Sequence, residues 1–141
     1  MSVHTKAVRV RDKIFGDGNY LLCIPLVGQS LEELLHGAAE AMTYEPDVIE
    51  WRADFFGQYP NLHPCVAAAE QLRTAIGNTP LIFTSRHHEE DGRKPIHDTE
   101  KFALMEAMGE SGLVDLIDIE MRYGEACIKG WKETLHRHHC Q

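Results

Sequence analysis

Short apolar runs alternate with helix-like segments four times along most of this chain. Each cycle takes about 30 residues, the length of a right-handed βα unit in which successive strands lie parallel. The runs that we interpret as strands are residues 21–27, 47–51, 80–84 and 116–119. The alternation therefore predicts an α/β fold built on a parallel sheet.

Capping residues indicate where the helices begin and end. Ser30 and Glu33 form a capping box, Pro64 suits the first turn of a helix, and Gly77 and Gly112 are typical helix ends. Apolar residues recur at helical spacing between these signals. The helices that we predict cover residues 31–42, 64–76, 98–110 and 127–138.

Residues 1–19 precede the first unit, and we interpret them as an N-terminal hairpin or lid. Residues 7–11 alternate apolar and charged side chains as a half-buried strand does, and residues 16–19 supply turn chemistry. No linker or low-complexity segment divides residues 20–141 into parts. We therefore expect a single domain over residues 1–141, with the hairpin followed by four βα units.

Two architectures fit this alternation. One is an open doubly wound sheet of four or five strands, and the other is the first half of a (β/α)8 barrel of TIM type, whose complete form takes about 250 residues. The periodicity is the same in both, so it leaves this choice open.

Charge and hydropathy exclude several classes of partner. The chain has 14 Lys and Arg residues against 22 Asp and Glu residues, and its net charge of -8 repels a phosphate backbone. The longest apolar run, Leu21–Val27, is far shorter than the roughly 20 residues of a membrane span, and residues 1–13 hold no signal-peptide core. We expect a soluble cytoplasmic protein that binds neither nucleic acid nor membrane.

Charged residues follow three successive predicted strands. Glu50 and Arg52 are two residues apart at a strand end, so both side chains lie on the same face of the sheet. Arg86 follows the next strand, and Asp118 and Glu120 repeat the spacing after the last one. Because parallel barrels carry their active sites at the carboxyl ends of the strands, these residues predict a polar pocket there.

The residue types favour a small polar anion as the ligand of this pocket. Arg52 and Arg86 can donate bidentate hydrogen bonds to a carboxylate, while Glu50 and Asp118 can orient them or bind hydroxyl groups. The alternative is that Glu50 and Arg52 belong to a buried ion-pair layer between strands. Their spacing is compatible with both interpretations.

Four sequence blocks are similar to one enzyme family, and they follow one another in the same order as in that family. The blocks are Ile24–Gly28, Pro46–Phe56, Pro80–Arg86 and Ser111–Glu120. Together they resemble type I 3-dehydroquinate dehydratase, and the resemblance runs from about residue 8 to residue 123. It implies a TIM-type (β/α)8 barrel, here about four βα units, or half a barrel, after the N-terminal hairpin.

The resemblance also implies a reaction. The family's enzymes are hydro-lyases of the shikimate pathway, and they convert 3-dehydroquinate to 3-dehydroshikimate through a lysine Schiff base, with a histidine as general acid and base. No cofactor and no metal is implied. The expected ligand is therefore the carboxylate substrate 3-dehydroquinate.

The resemblance assigns roles to five residues. Glu50, Arg52 and Arg86 are similar to the family's substrate-binding residues. Glu90 is similar to the acidic residue of the next loop, and Asp118 to the carboxylate that supports the catalytic histidine. We treat these last two as candidate catalytic residues.

In the family, the Schiff-base lysine and the catalytic histidine lie on strands of the second half of the barrel, which correspond to positions after the last residue of this chain. Lys129 and Lys132 lie on the last predicted helix, so we interpret them as solvated charges. The segment His136–Cys140 contains possible metal ligands but no second pair at zinc-type spacing, and we interpret it as a solvated helix end. We therefore expect a truncated substrate-binding half that is inactive alone.

The expected half barrel leaves two outer strands without neighbours. Such edges predict a homodimer or a complementing C-terminal half as the partner. Two other functions stay open: a non-catalytic small-anion-binding or regulatory module derived from the same barrel, and a small doubly wound domain that binds a different anion.

Overall fold

The computed structural model describes residues 6–141, so the first five residues of the predicted N-terminal segment lie outside it. Its strands are β1 (Val8–Val10), β2 (Lys13–Phe15), β3 (Cys23–Leu26), β4 (Val48–Arg52), β5 (Leu81–Thr84) and β6 (Leu116–Ile117). Its α-helices are α1 (Leu31–Met42), α2 (Leu62–Ile76), α3 (Asp98–Ser111) and α4 (Glu125–Arg137). In this part of the chain no helix combines the length and apolar character that crossing a bilayer requires.

Strands β3 to β6 pair in parallel, and their order in the sheet is their order along the chain. A doubly wound sheet reverses its strand order at a switch point, and this sheet contains no reversal. Right-handed connections then place the helices on the same face, where α1 to α4 pack in succession. The structure confirms the parallel α/β sheet and excludes the doubly wound alternative.

The two faces of the sheet differ in burial because side chains alternate along each strand. The row that is buried against the helices consists of Leu26, Trp51, Phe83 and Ile117. The adjacent row, on the opposite face, is only partly covered and consists of Pro25, Glu50, Ile82 and Leu116. The hydrophobic core therefore lies between the sheet and the helices.

The predicted helix signals act as expected. Ser30 Oγ accepts a hydrogen bond from the Glu33 backbone N–H at 3.1 Å, which caps α1. Gly77 and Gly112 have φ angles of 59° and 70°, in the region that favours glycine, and they end α2 and α3. Local sequence thus determines the helix boundaries within two residues.

The β1–β2 hairpin lies at the amino ends of the sheet strands. Arg11 donates to Asp115 Oδ1 and to Asn78 Oδ1, both at 2.8 Å, and Lys13 Nζ lies 3.0 Å from Asp47 Oδ1. Because the three acceptor residues each come just before a strand, the hairpin covers the end of the sheet opposite the charged strand ends. It is therefore not placed as a lid over them.

The last residues of the chain pack against β6. The Gln141 N–H donates to Asp115 O at 2.9 Å, and the Ile117 N–H donates to Gln141 O at 2.7 Å, which is a parallel-bridge pattern. Cys140 is fully buried. The interpretation of this segment as a solvated helix end therefore holds for His136, Arg137 and His139, which are exposed, but not for Cys140, which is buried next to the strand pairing of Gln141.

Candidate functional site

The carboxyl ends of β4, β5 and β6 bring four of the five predicted site residues to one rim of the sheet. Glu50 and Arg52 lie on β4, Arg86 lies two residues after β5, and Asp118 directly follows β6. Glu90 lies on the exposed single-turn helix His88–Glu90 in the loop after β5. The loop reaches the same rim, since Arg52 donates to the backbone oxygen of Asp91 at 3.3 Å.

Arg52 forms a two-point ion pair with Asp54. Its Nε donates to Asp54 Oδ1 and its NH2 donates to Asp54 Oδ2, both at 2.9 Å. The Asp54 side chain is fully buried and the Arg52 side chain is 19% exposed. The hydrogen bonds to Asp54 raise the pKa of Arg52 despite its partial burial. Among residues 6–141, Arg52 NH1 has no hydrogen-bond partner, so this donor is available to a ligand.

Glu50 does not pair with Arg52. Glu50 Oε1 accepts a hydrogen bond from Thr84 Oγ1 of the neighbouring strand at 2.8 Å. The spacing correctly placed Glu50 and Arg52 on the same face, but the ion-pair layer formed by these two residues does not occur. Asp54 is the partner that the sequence reasoning missed. Its only sequence signal is that it lies two residues after Arg52.

Arg86 and Asp118 connect the ends of β5 and β6. Arg86 NH1 lies 3.2 Å from Asp118 Oδ1, and the two side chains are 24% and 35% exposed. Burial raises the pKa of Asp118, although the nearby Arg86 guanidinium acts in the opposite direction. Both arginines of the rim are therefore half-buried and each lies against a carboxylate.

The loop after Arg86 folds back tightly on itself. The Gly92 N–H donates to His87 O at 3.0 Å. A Cβ atom at position 92 would lie 2.1 Å from Arg86 O, so only glycine fits there without a shift of the backbone. This close approach determines the path of the segment that carries Glu90.

A fully buried ion pair lies behind this loop, and the sequence reasoning missed it. Lys101 Nζ donates to Glu120 Oε1 at 2.6 Å and to Glu120 Oε2, and both side chains have no exposed surface. Glu120 Oε1 also accepts the His87 backbone N–H at 2.6 Å. Lys101 lies in α3, and its only signal in the sequence is its helical spacing of three and four residues from Leu104 and Met105, which are buried on the same helix.

Glu120 makes the folding stability of the chain depend on pH in the acid range. Burial acts to raise its pKa, but the hydrogen bonds from Lys101 and the His87 N–H outweigh burial and lower it from the ordinary value of 4.5. A carboxylate with a lowered pKa stabilises the fold above its ordinary value, and the contribution is lost as the pH falls through the lowered value.

We expect this dependence to appear when Glu120→Gln is compared with the unaltered chain. The difference in their free energies of unfolding should be constant above about pH 4.5 and should shrink as the pH falls further. Urea denaturation at a series of pH values measures it. A difference that stays constant throughout the acid range would contradict the ionised state of Glu120.

A parallel sheet with its helices on one face and charged side chains at the carboxyl ends of its strands defines a βα protein with a rim site of the kind found in (β/α) barrels. The sequence profile of the family described as type I 3-dehydroquinase matches residues 22–141. The chain belongs to this type I 3-dehydroquinase family.

Curated relatives support the same assignment. The 3-dehydroquinate dehydratase of Bacillus licheniformis is 41% identical over 133 residues, which are 94% of this chain and 52% of that protein. The protein of the same name from Klebsiella pneumoniae subsp. pneumoniae is 39% identical over 132 residues, 94% of this chain and 53% of that protein. The chain thus spans about half the length of the curated relatives it matches.

Solved structures agree with the fold. The crystal structure of 3-dehydroquinate dehydratase from Geobacillus kaustophilus matches with a TM-score of 0.89 at 34% identity, over 96% of this chain and 52% of that one. Type I 3-dehydroquinate dehydratase from Clostridium difficile, solved with covalently modified comenic acid, matches with a TM-score of 0.91 at 31% identity, over 96% of this chain and 54% of that one.

Proposed function

We propose that this chain forms the substrate-binding half of a type I 3-dehydroquinate dehydratase, a hydro-lyase that acts on 3-dehydroquinate. The observation that carries the proposal is the pair of half-buried arginines on neighbouring strand ends, Arg52 held by Asp54 and Arg86 held by Asp118. Carboxylates that hold the arginines in place fix the direction of the remaining N–H groups. Such fixed donors suit a small carboxylate substrate.

The other rim residues fit the remaining polar groups of such a substrate. Glu50 keeps one carboxylate oxygen for a substrate hydroxyl group while the other accepts from Thr84. Asp118, in this proposal, orients the catalytic histidine of the family's reaction. Glu90, on the exposed turn next to Asp91, approaches the substrate from the loop.

The rim described here does not supply the Schiff-base lysine or the catalytic histidine of the family's reaction. Within residues 6–141 no lysine lies on β3 to β6, and the lysines between β5 and β6 are engaged: Lys94 Nζ donates to Phe56 O at 2.8 Å, and Lys101 pairs with Glu120. In the proposed reaction a lysine amine attacks the substrate carbonyl, the carbonyl oxygen leaves as water, and the resulting iminium, which water later hydrolyses to release the product, acidifies the neighbouring C–H. A histidine removes that proton and protonates the departing hydroxyl group.

This chain contributes positioning and electrostatics, and we expect the 141 residues alone to be inactive. No cofactor takes part.

A second set of βα units would complete the site. The β3 edge lies beside a groove of about 420 Å³ that is lined mainly by apolar and small residues, among them Pro25, Val27 and Gly37, and that also includes Glu33 and Glu40. Unpaired backbone groups at such an edge favour pairing with another strand. We infer that residues 1–141 act as one domain, half of a (β/α)8 barrel, completed by a C-terminal half or by a second copy of the chain in the cytoplasm.

The binding role is tested by titrating 3-dehydroquinate into the 141-residue chain. We expect Arg52→Met and Arg86→Met each to weaken the binding at least about tenfold, because each loses a charge-assisted hydrogen bond to the carboxylate. Arg137→Met, at the exposed end of α4, is the matched control and should bind as the unaltered chain does. Calorimetry or an NMR titration measures the affinities.

Catalysis is tested by mixing the chain with a separately produced C-terminal half of the Bacillus licheniformis relative. We expect the absorbance of the enone product to appear only in the mixture and to be lost with Arg86→Met. Absence of 3-dehydroquinate binding by the unaltered chain would contradict the proposal. Binding with no activity in the mixture would favour the alternative, a non-catalytic small-anion-binding or regulatory module.

A further inference from the structure

The end of β6 carries two carboxylates that hold two consecutive residues of the β5 loop. Asp118 holds the Arg86 side chain, and Glu120 accepts the backbone N–H of His87 at 2.6 Å. Because Asp118 and Glu120 are two residues apart, one segment determines both the direction of the Arg86 side chain and the position of the backbone that follows it. The second contact has no role in the site described so far.

Lys101 determines how Glu120 is oriented. Its ammonium group contacts both carboxylate oxygens of Glu120 and lies 5.3 Å from the centre of the Tyr123 ring. Replacing a buried ion pair by apolar residues is often neutral for stability, so stability alone gives a weak reason for this pair. Its geometry, in contrast, presents Oε1 of Glu120 to the His87 N–H at a defined place.

The same loop is held from its outer side. His87 Nδ1 accepts from the Glu89 backbone N–H at 3.2 Å and lies 2.9 Å from Arg122 NH1, while Arg122 NH2 lies 2.6 Å from Glu89 Oε2. Arg122 and Glu89 are exposed or half-exposed, so this contact is open to water and to salt. The buried contact to Glu120 is therefore the stronger of the two constraints.

We propose that Lys101 and Glu120 are positioning residues that hold the loop between Arg86 and Gly92, and with it Arg86 and Glu90, in the geometry that binds substrate. They act through the hydrogen bond from the His87 N–H to Glu120 and touch no substrate themselves. This inference deepens the proposed function and rests on it.

Two double variants isolate the hydrogen bond from the charge. Lys101→Met with Glu120→Gln removes both buried charges but keeps a carbonyl oxygen that can accept the His87 N–H. Lys101→Met with Glu120→Leu removes the charges and the acceptor together. We expect the first to bind 3-dehydroquinate within about threefold of the unaltered chain and the second at least about tenfold more weakly.

Amide hydrogen exchange gives a second readout, which does not depend on the ligand. The His87 N–H should exchange at least about tenfold faster in the Leu-containing double variant than in the Gln-containing one. Arg73→Met is the control for a general loss of stability. It breaks the ion pair with Asp115 at the opposite end of the sheet, so it should lower the unfolding midpoint without changing the affinity or the exchange of His87 under native conditions.

The outcomes separate this inference from the proposed function. If the unaltered chain does not bind 3-dehydroquinate, the proposed function fails, and His87 exchange alone then tests the positioning of the loop. Equal exchange rates in the two double variants would overturn the inference. Faster exchange in the Leu-containing variant with equal affinities would overturn it as well, since the loop would then be held without any effect on the site.

Discussion

Lys101→Met alone should lower the free energy of unfolding by about 3 to 5 kcal/mol, because it leaves the Glu120 carboxylate buried without its counter-ion. Neither side chain has any exposed surface, so water cannot replace the lost ammonium group without opening the structure. The His87 N–H supplies the one remaining hydrogen bond to Glu120 Oε1. Urea denaturation followed by far-UV circular dichroism measures the loss.

Lys129→Met is the matched control for this substitution. Lys129 is exposed on α4, so its replacement should change the free energy of unfolding by no more than about 0.5 kcal/mol. A loss below about 1 kcal/mol for Lys101→Met would show that Glu120 is solvated or protonated in the folded chain, and it would remove the basis for the buried ion pair.

Trp51→Ala should cost about 3 to 5 kcal/mol of folding free energy, because it opens a large cavity between the sheet and the helices. Trp51 is fully buried on β4 and packs edge to face against Phe56 and Phe83, with ring centres 5.9 and 5.6 Å away. These contacts join the neighbouring strand and the segment after β4. Their loss should therefore weaken the packing across the core.

Trp51→Phe separates the aromatic packing from the indole N–H. Among the side chains of residues 6–141, Trp51 Nε1 is the buried polar atom without a hydrogen-bond partner. Phenylalanine keeps an aromatic ring and removes this orphaned donor, so we expect a loss of only about 1 kcal/mol. Equal losses for the Ala and Phe variants would contradict the packing role, and Tyr44→Ala, at an exposed side chain, is the neutral control.

Several parts of the fold were predictable because their causes are local. Ser30, Gly77 and Gly112 end or begin helices through hydrogen bonds and backbone angles that involve only nearby residues. The two-residue spacing likewise placed Glu50 and Arg52 on the same face of β4, since the strand period is two. These signals are present in the sequence wherever the element lies in the fold.

The partners of the site residues were less predictable. Arg52 pairs with Asp54 and Glu50 accepts from Thr84, whereas the sequence spacing left a pair between Glu50 and Arg52 open as an alternative. The pairing of Lys101 with Glu120 was not predicted, and both side chains are fully buried. In each case the partner depends on how strand ends and loops meet in space. When a side chain has several possible partners, the local sequence does not indicate which of them it contacts.

The sequence by itself determined the alternation of strands and helices, the helix ends, and the set of charged residues at the carboxyl ends of the strands. The tertiary structure alone decided that the strands follow chain order without a reversal, that the hairpin covers the amino ends, and that Lys101 meets Glu120. The physical reason is the range of the interactions. Caps and periodicity act within a few residues, whereas strand order and buried ion pairs depend on which distant segments share one core, and the lowest free energy of the whole chain makes that choice.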